Sequence, residues 1–254
     1  MIEAPAEEPR VLHGPGGVRV QDVVRTFLTR RGEVQALSGM SLRADTGEIV
    51  TVVGPSGCGK TTLLELICGL QAPQSGRVSS APAALMSQRD LLLPWLSAID
   101  NAGLALRVRG VSREQARATV APWLKRFGLG GFEGTRPAQL SGGMRQRVSF
   151  LRSLLAGKPV LALDEPFASL DAITRYEMQG WLARVLASEP RTVVLVTHDV
   201  EEAAVLGDRI VVMSPRPGRA VAEIEVPLPR PRRRTDPAVA ELREQALEAL
   251  GVRE

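Results

Sequence analysis

The chain has 254 residues, 44% of them hydrophobic, and a formal net charge of +4. This is an ordinary globular composition, sufficient for a proper core in one large domain or two small ones. No run approaches the 18 or more apolar residues of a membrane-spanning helix, so a helical membrane protein is excluded.

The start, Met1-Ile2-Glu3-Ala4-Pro5-Ala6-Glu7-Glu8, is acidic where a signal peptide is basic and then apolar, which predicts a chain that stays in the cytosol. Only two cysteines occur, Cys58 and Cys68, which argues against a disulfide framework and against a zinc site. The positive charge is nearly all arginine and is spread along the chain except at Arg230, Arg232, Arg233 and Arg234. We read it as a compositional habit rather than a nucleic-acid-binding patch.

Residues 1–16 are rich in Pro, Glu and Gly without periodicity and read as a mobile leader. Val18 to Val23 alternates as a half-buried strand, with Arg25-Thr26-Phe27 closing it. Arg30 to Glu33 reads as a turn into a second strand, Val34 to Leu42. Glu48 to Val53 is a β-branched run suited to a buried strand, and Thr62 to Ile67 continues as an apolar helix.

Between them lies Gly54-Pro55-Ser56-Gly57-Cys58-Gly59-Lys60-Thr61-Thr62, which fits the phosphate-binding pattern of two glycines followed by lysine and a hydroxyl residue. The glycines allow successive N–H groups and the helix N-terminus to point at phosphate oxygens. Lys60 is placed to reach the β- and γ-phosphates and Thr61 to ligate magnesium. The Cys58 thiol, close to that N-terminus, is expected to favour thiolate and to be shielded from alkylation by Mg-ATP.

Further along, Gln74-Ser75-Gly76 reads as a turn and Ala83 to Ser87 as a short buried strand ending at Gln88. The pattern then becomes helical, with a capping box at Ser112-Arg113-Glu114-Gln115 opening a helix towards Phe127, and Gly128 to Pro137 as a loop. Ser141-Gly142-Gly143 starts a helix and offers a second anion-binding terminus. Val160 to Glu165 is an apolar strand ending in two acids, Asp164 and Glu165, whose burial is costly unless a cation or a reaction requires them. Ser169-Leu170-Asp171 follows, and Thr192 to Thr197 is another buried strand, ending at His198. Arg219 to Pro227 alternates as an edge hairpin, and Pro229 to Arg234 reads as a stiff solvated linker. Asp236-Pro237 opens a helix with Val239, Leu242, Ala246 and Leu250 on one face.

Across roughly residues 18 to 225 this set resembles the ATPase subunit of an ATP-binding cassette (ABC) transporter. The resemblance implies an α/β P-loop NTPase fold with a mainly parallel sheet core, an antiparallel β edge subdomain and an inserted helical lobe over about 90–156. The ATPase domain spans 17–227, and 228–254 forms the Arg/Pro-rich linker and C-terminal helix. It implies ATP and Mg2+ as the ligands. Gly54 to Thr62 is then the Walker A loop, and Asp164 the acid that holds magnesium with Thr61 and Gln88. Glu165 is the general base, His198 the switch histidine, and Gln88 the Q-loop glutamine. Phe27 resembles the aromatic that stacks on adenine, with Val34 beside it in the nucleotide site. Ser141-Gly142-Gly143 resembles the signature and Asp171 the D-loop aspartate, both facing ATP held by a second copy in a head-to-tail dimer.

The same resemblance implies partners: integral-membrane permease subunits, indirectly a solute-binding protein, and no nucleic acid, with the chain peripheral on the cytoplasmic face of the inner membrane. The run Arg89 to Trp95, followed by Asp100-Asn101, is similar to importers of nitrate, sulfonate, taurine and pyrimidine precursors. An ABC exporter or lipoprotein-release ATPase, and a non-transport ABC ATPase, stay open as alternatives. Leu151 and Ser153 depart from the family's usual alanines, and Ala168-Ser169 from its commoner small pair. The cluster Leu91 to Trp95 reads either as the packing seam between lobes or as a partly exposed permease-binding surface, the expectation taken here, with Leu92 as one candidate exposed member.

Overall fold

The computed structural model describes residues 11–12, 16–30, 32–168, 170–188 and 191–252. The chain runs β1 (Val11–Leu12), β2 (Val18–Thr29), β3 (Gly32–Ala44), β4 (Ile49–Val53), α1 (Lys60–Ile67), β5 (Ser75–Ser80) and β6 (Ala83–Met86). The helices α2 (Ala98–Ala102), α3 (Leu104–Val108) and α4 (Arg113–Arg126) come next, then a short 3-10 turn at Pro137–Gln139 and α5 (Gly142–Leu155). The remainder is β7 (Val160–Asp164), α6 (Ala172–Ser188), β8 (Thr192–Thr197), α7 (Val200–Leu206), β9 (Arg209–Met213), β10 (Ala220–Glu225) and α8 (Pro237–Ala249).

Six strands form one sheet in the order β10-β9-β4-β8-β7-β6, parallel throughout except for β10, which runs antiparallel to β9 at the edge. Every residue of β4, β7, β8 and β9 is buried, so these strands read as continuous apolar runs because both faces are covered. Ile49, Leu161, Leu195 and Val212 face the helical side, where α4 to α8 pack. Val50, Ala162, Val194 and Val211 face α1 and a second sheet of order β1-β5-β2-β3. In that sheet β2 pairs antiparallel with both β3 and β5.

The helical lobe hangs on a few polar anchors. Ser112 and Gln115 form the capping box of α4, with Gln115 N donating to Ser112 Oγ at 3.2 Å. The guanidinium groups of Arg113 and Arg117 both grip the buried carboxylate of Asp100 at 2.7 Å, which holds that carboxyl well below the usual range. Phe127 and Phe150 meet the ring of Trp181 edge-on, at 4.5 and 5.2 Å, and so join the lobe to α6.

The structure differs from the sequence reading in several places. β2 does not close at Phe27 but pairs with β3 through Thr29. The turn read at Gln74 to Gly76 opens β5, whose single buried apolar side chain, Val78, leaves almost no strand pattern to read. Val11 and Leu12, inside the stretch read as a mobile leader, pair in parallel with Val78 and Ser79; residues 1–10 and 13–15 lie outside the described residues, as does Ser169. The Arg/Pro segment is not a solvated linker. The Arg232 side chain is only 2% exposed and donates to the carbonyls of Leu228, Ala204 and Gly207, the last two at the end of α7. α8 then packs on α7 and β10 through Val239, Leu242 and Ala246.

Glu202 on α7 is fully buried, and its carboxyl oxygen Oε2 accepts from Gln179 Nε2 at 3.2 Å. Burial, reinforced by the nearby Asp199, pushes its pKa up from an ordinary 4.5 to about 8. The folded chain therefore keeps a proton that the unfolded chain releases, so this residue's stability contribution is lost as pH rises from about 4.5 to about 8. Glu202→Gln should raise Tm at pH 8 by roughly 5 °C while changing it little at pH 4.5, as read by thermal unfolding at the two pH values.

Candidate functional site

The loop from Gly54 to Gly59 joins the end of β4 to the start of α1 and is held open by glycine. Gly59 caps α1 in the left-handed region (φ 109°), and a Cβ there would lie 2.8 Å from the Ala36 carbonyl oxygen. α1 has no side-chain cap and no acid in its first turn, which leaves its leading N–H groups for an anion. Lys60 Nζ folds back over the loop and donates to the carbonyls of Gly54 (2.8 Å) and Pro55 (3.2 Å).

The acids arrive from β7. Thr61 Oγ1 donates to Asp164 Oδ2 at 2.9 Å, and burial raises the pKa of that carboxyl. Glu165 follows in the left-handed region (φ 42°), with its N–H bonded to the Val196 carbonyl of β8 at 2.9 Å. This unusual backbone aims its carboxylate into the site. Oε2 lies 3.1 Å from His198 Nδ1 and 3.3 Å from Gln88 Nε2, and Oε1 lies 3.6 Å from Lys60 Nζ. A hard cation suits this donor set, since a buried carboxylate beside a hydroxyl is otherwise hard to keep ionised.

Phe27 and Val34 face each other across β2 and β3, and both line the cavity of about 510 Å³ that also holds Gly57, Lys60, Thr61 and Thr62. Pro55 and Ser56 are exposed on the loop, with Ser56 in the cavity wall. The structure does not bring Ser141, Gly142, Gly143 or Asp171 to this cavity. Ser141 caps α5 by accepting from Met144 N at 3.2 Å, and Asp171 accepts from Thr174 N at 3.0 Å; the Thr174 side chain, with that backbone bond, holds the Asp171 carboxyl below the usual range. Gly142 lines a separate cleft with Gln88, Asp90 and Arg145.

Cys58 corrects the sequence reading. Its side chain turns inward beneath Gly54 and is 1% exposed, and burial pushes the thiol pKa up rather than down. The loop contributes its backbone here, and the thiol belongs to the core beneath it. Leu92 is corrected too: at 8% exposed it belongs to the seam between lobe and sheet, whereas Leu91 (57%) and Trp95 (67%) are outside. Sequence reasoning missed Arg216, which reaches back from the turn after β9 and donates from Nε to Gly57 O at 2.9 Å. Its signal was an arginine between two prolines, Pro215 and Pro217, ahead of Gly218.

A glycine loop at a helix N-terminus, a lysine folded over it and two acids at the next strand end define a P-loop NTPase domain. Residues 37–168 match the ABC transporter family. The chain is 44% identical to a taurine import ATP-binding protein of Burkholderia pseudomallei (strain 1710b), over 80% of this chain and 81% of that one. It is likewise 44% identical to an aliphatic sulfonates import ATP-binding protein of Rhodococcus jostii (strain RHA1), over 87% and 89%. A formylaminopyrimidine import ATP-binding protein of Halalkalibacterium halodurans is 42% identical, over 74% and 77%. Among solved structures, a dimeric ATP-binding cassette in a post-hydrolysis state with ADP and phosphate aligns with TM-score 0.74 and 29% identity, covering 82% of this chain and 98% of the other. The chain therefore belongs to the ABC transporter family, as one of its ATPases.

Arg216→Ala removes a charge-assisted hydrogen bond to the loop at an exposed position, a loss of about 1 kcal/mol. The KM for ATP should rise roughly fivefold with kcat within twofold, measured by steady-state ATPase assay, and Arg216→Lys should recover part of the loss.

Proposed function

We propose that the chain is the ATP-hydrolysing subunit of an importer for a small solute of the sulfonate, taurine or pyrimidine-precursor type, working through a separate membrane permease. The supporting names are those of its relatives, and no helix among the described residues is long and apolar enough to cross a membrane. In this reading it sits at the cytoplasmic face of the membrane, a solute-binding protein supplies the substrate, and the permease carries it.

The observation that carries the chemistry is the Glu165 carboxylate, held between His198 Nδ1 and Gln88 Nε2 with Lys60 at 3.6 Å. We assign it as the general base. It takes a proton from water as the water oxygen forms its bond to the γ-phosphorus and the bond to the bridging oxygen of ADP breaks. His198 and Gln88 orient that carboxylate and the water. Lys60, now tied to two loop carbonyls, turns its charge to the β- and γ-phosphates. Thr61 and Asp164, with Gln88, are the residues that would hold Mg2+, which supplies neutralisation of phosphate charge when bound. Phe27 and Val34 receive adenine.

Ser141, Gly142, Gly143 and Asp171 lie away from this cavity, which supports a head-to-tail dimer in which they complete the site of a second copy. The dimeric cassette with ADP and phosphate is consistent with such an assembly. Coupling to the permease is assigned to the exposed Leu91 and Trp95. Their segment is fastened to α5, because Arg145 Nε donates to Asp90 Oδ2 at 2.9 Å and Arg152 to the Asp90 and Leu91 carbonyls at 2.8 Å.

Glu165→Gln keeps the shape and removes the basicity, so ATP hydrolysis should fall by roughly 10²–10⁴ while ATP binding persists and an ATP-bound dimer accumulates on gel filtration. Turnover at the wild-type rate would sink the assignment of the base. Trp95→Glu should abolish co-purification with the permease and solute uptake while leaving basal ATPase within about twofold. Uptake at the wild-type rate would exclude this surface.

A further inference from the structure

A second cavity, of about 570 Å³, lies where the helical lobe, α6 and the C-terminal segment meet, and none of its lining residues belongs to the phosphate loop. Among the described residues six arginines line it, namely Arg126, Arg147, Arg184, Arg232, Arg233 and Arg234, against a single carboxylate, Glu177. Two of the six are neutralised from behind: Arg232 lies 3.6 Å from Asp208, and Arg234 Nε lies 2.9 Å from Glu201 Oε1. Arg147 is held by neutral groups, the Met178 sulfur at 2.9 Å and the Phe127 carbonyl at 3.5 Å. Arg184 and Arg233 make no ion pair among the described residues and are exposed at the mouth.

Arg147, Arg184 and Arg233, which no carboxylate among the described residues pairs, give this concavity a positive charge that favours an anionic occupant. Guanidinium forks suit oxyanions, which they bind in bidentate fashion. The wall is aromatic as well. Phe127 and Trp181 form the back, and the Tyr176 ring stands at the rim with the Arg234 guanidinium 5.0 Å from its centroid on one face. A flat apolar body has a partner there.

We propose that this cavity is a binding site for a small aromatic polyanion, a molecule with a flat ring and two or more phosphate or sulfonate groups, separate from the nucleotide site. Arg184 and Arg233 grip the oxyanions and Tyr176 receives the ring. Because the lining comes from α4 and α5 of the lobe, from α6 and from the C-terminal segment, an occupant ties these parts together. Binding itself does not depend on ATP hydrolysis or on transport.

The test is calorimetric titration of the full chain with 1,5-naphthalenedisulfonate. One-to-one binding is expected, weakening as salt rises. Arg184→Ala combined with Arg233→Ala should weaken it at least tenfold while leaving Tm within about 2 °C, since both side chains are exposed. Lys60→Ala should leave it within twofold, which separates this site from the phosphate loop. Absence of binding, equal affinity in the double variant, or loss in Lys60→Ala alone would each overturn the proposal. Inorganic pyrophosphate should bind more weakly than the disulfonate; equal affinity would remove the aromatic half of the assignment.

Discussion

Three parallel strands, β4, β8 and β7, end side by side, and the polar groups of the candidate site sit within a few residues of those ends. Val53 is paired with Thr197 and Asp164 with Val196, so the phosphate loop, His198 and the Asp164-Glu165 pair emerge together at one edge of the sheet. This follows the general tendency of open α/β sheets to bind ligands beyond the carboxyl ends of their strands. A one-residue slip of β7 against β8 would turn Asp164 and Glu165 to the opposite faces of the sheet. The fully buried apolar runs on both faces hold the register against that slip, so core packing is what keeps the geometry of the candidate site.

The second dependency runs from that edge to the outside. Gln88 touches the Glu165 carboxylate at one end of a short segment, and Trp95 stands exposed at the other. Asp90 lies between them and is bound to Arg145 and Arg152 of α5, the helix capped by Ser141. The Glu165 carboxylate and α5 are thus both attached to the same stretch of backbone that carries the exposed end. The seam beneath, which includes Leu92, keeps that stretch from moving independently.

The C-terminal segment closes the helical side of the sheet. Arg232 satisfies carbonyls left open at the end of α7 and of the loop around Leu228, a task that a shorter or uncharged side chain cannot perform. Its neighbours Arg233 and Arg234 are thereby brought to the rim of the arginine-lined cavity. A run that looks like a single basic cluster is divided by the fold into Arg230 and the buried Arg232, both beside Asp208, and Arg233 and Arg234 at the rim of the concavity.

The sequence by itself determined whatever depends on local backbone chemistry. The glycine spacing before Lys60, the capping box at Ser112, the apolar runs ending in Asp164-Glu165 and His198, and the apolar face of α8 were all legible, because each is a pattern of near neighbours in the chain. What the tertiary structure decided was direction and company. Cys58 and Gly59 are adjacent, yet one side chain's inward turn makes its thiol core rather than reagent, and no spacing reveals that. Leu91, Leu92 and Trp95 share one apolar run, and only packing against the lobe sorts the buried leucine from the exposed pair. β5 was unreadable because its stability comes from pairing with β2 and β1 rather than from its own side chains. Arg216, 159 residues from Gly57, reaches the phosphate loop because the turn after β9 is wedged beside β3, where Gly218 N bonds to the Ala36 carbonyl. Contacts of that separation are set by the order of strands in the sheet, and strand order is a property of the folded whole.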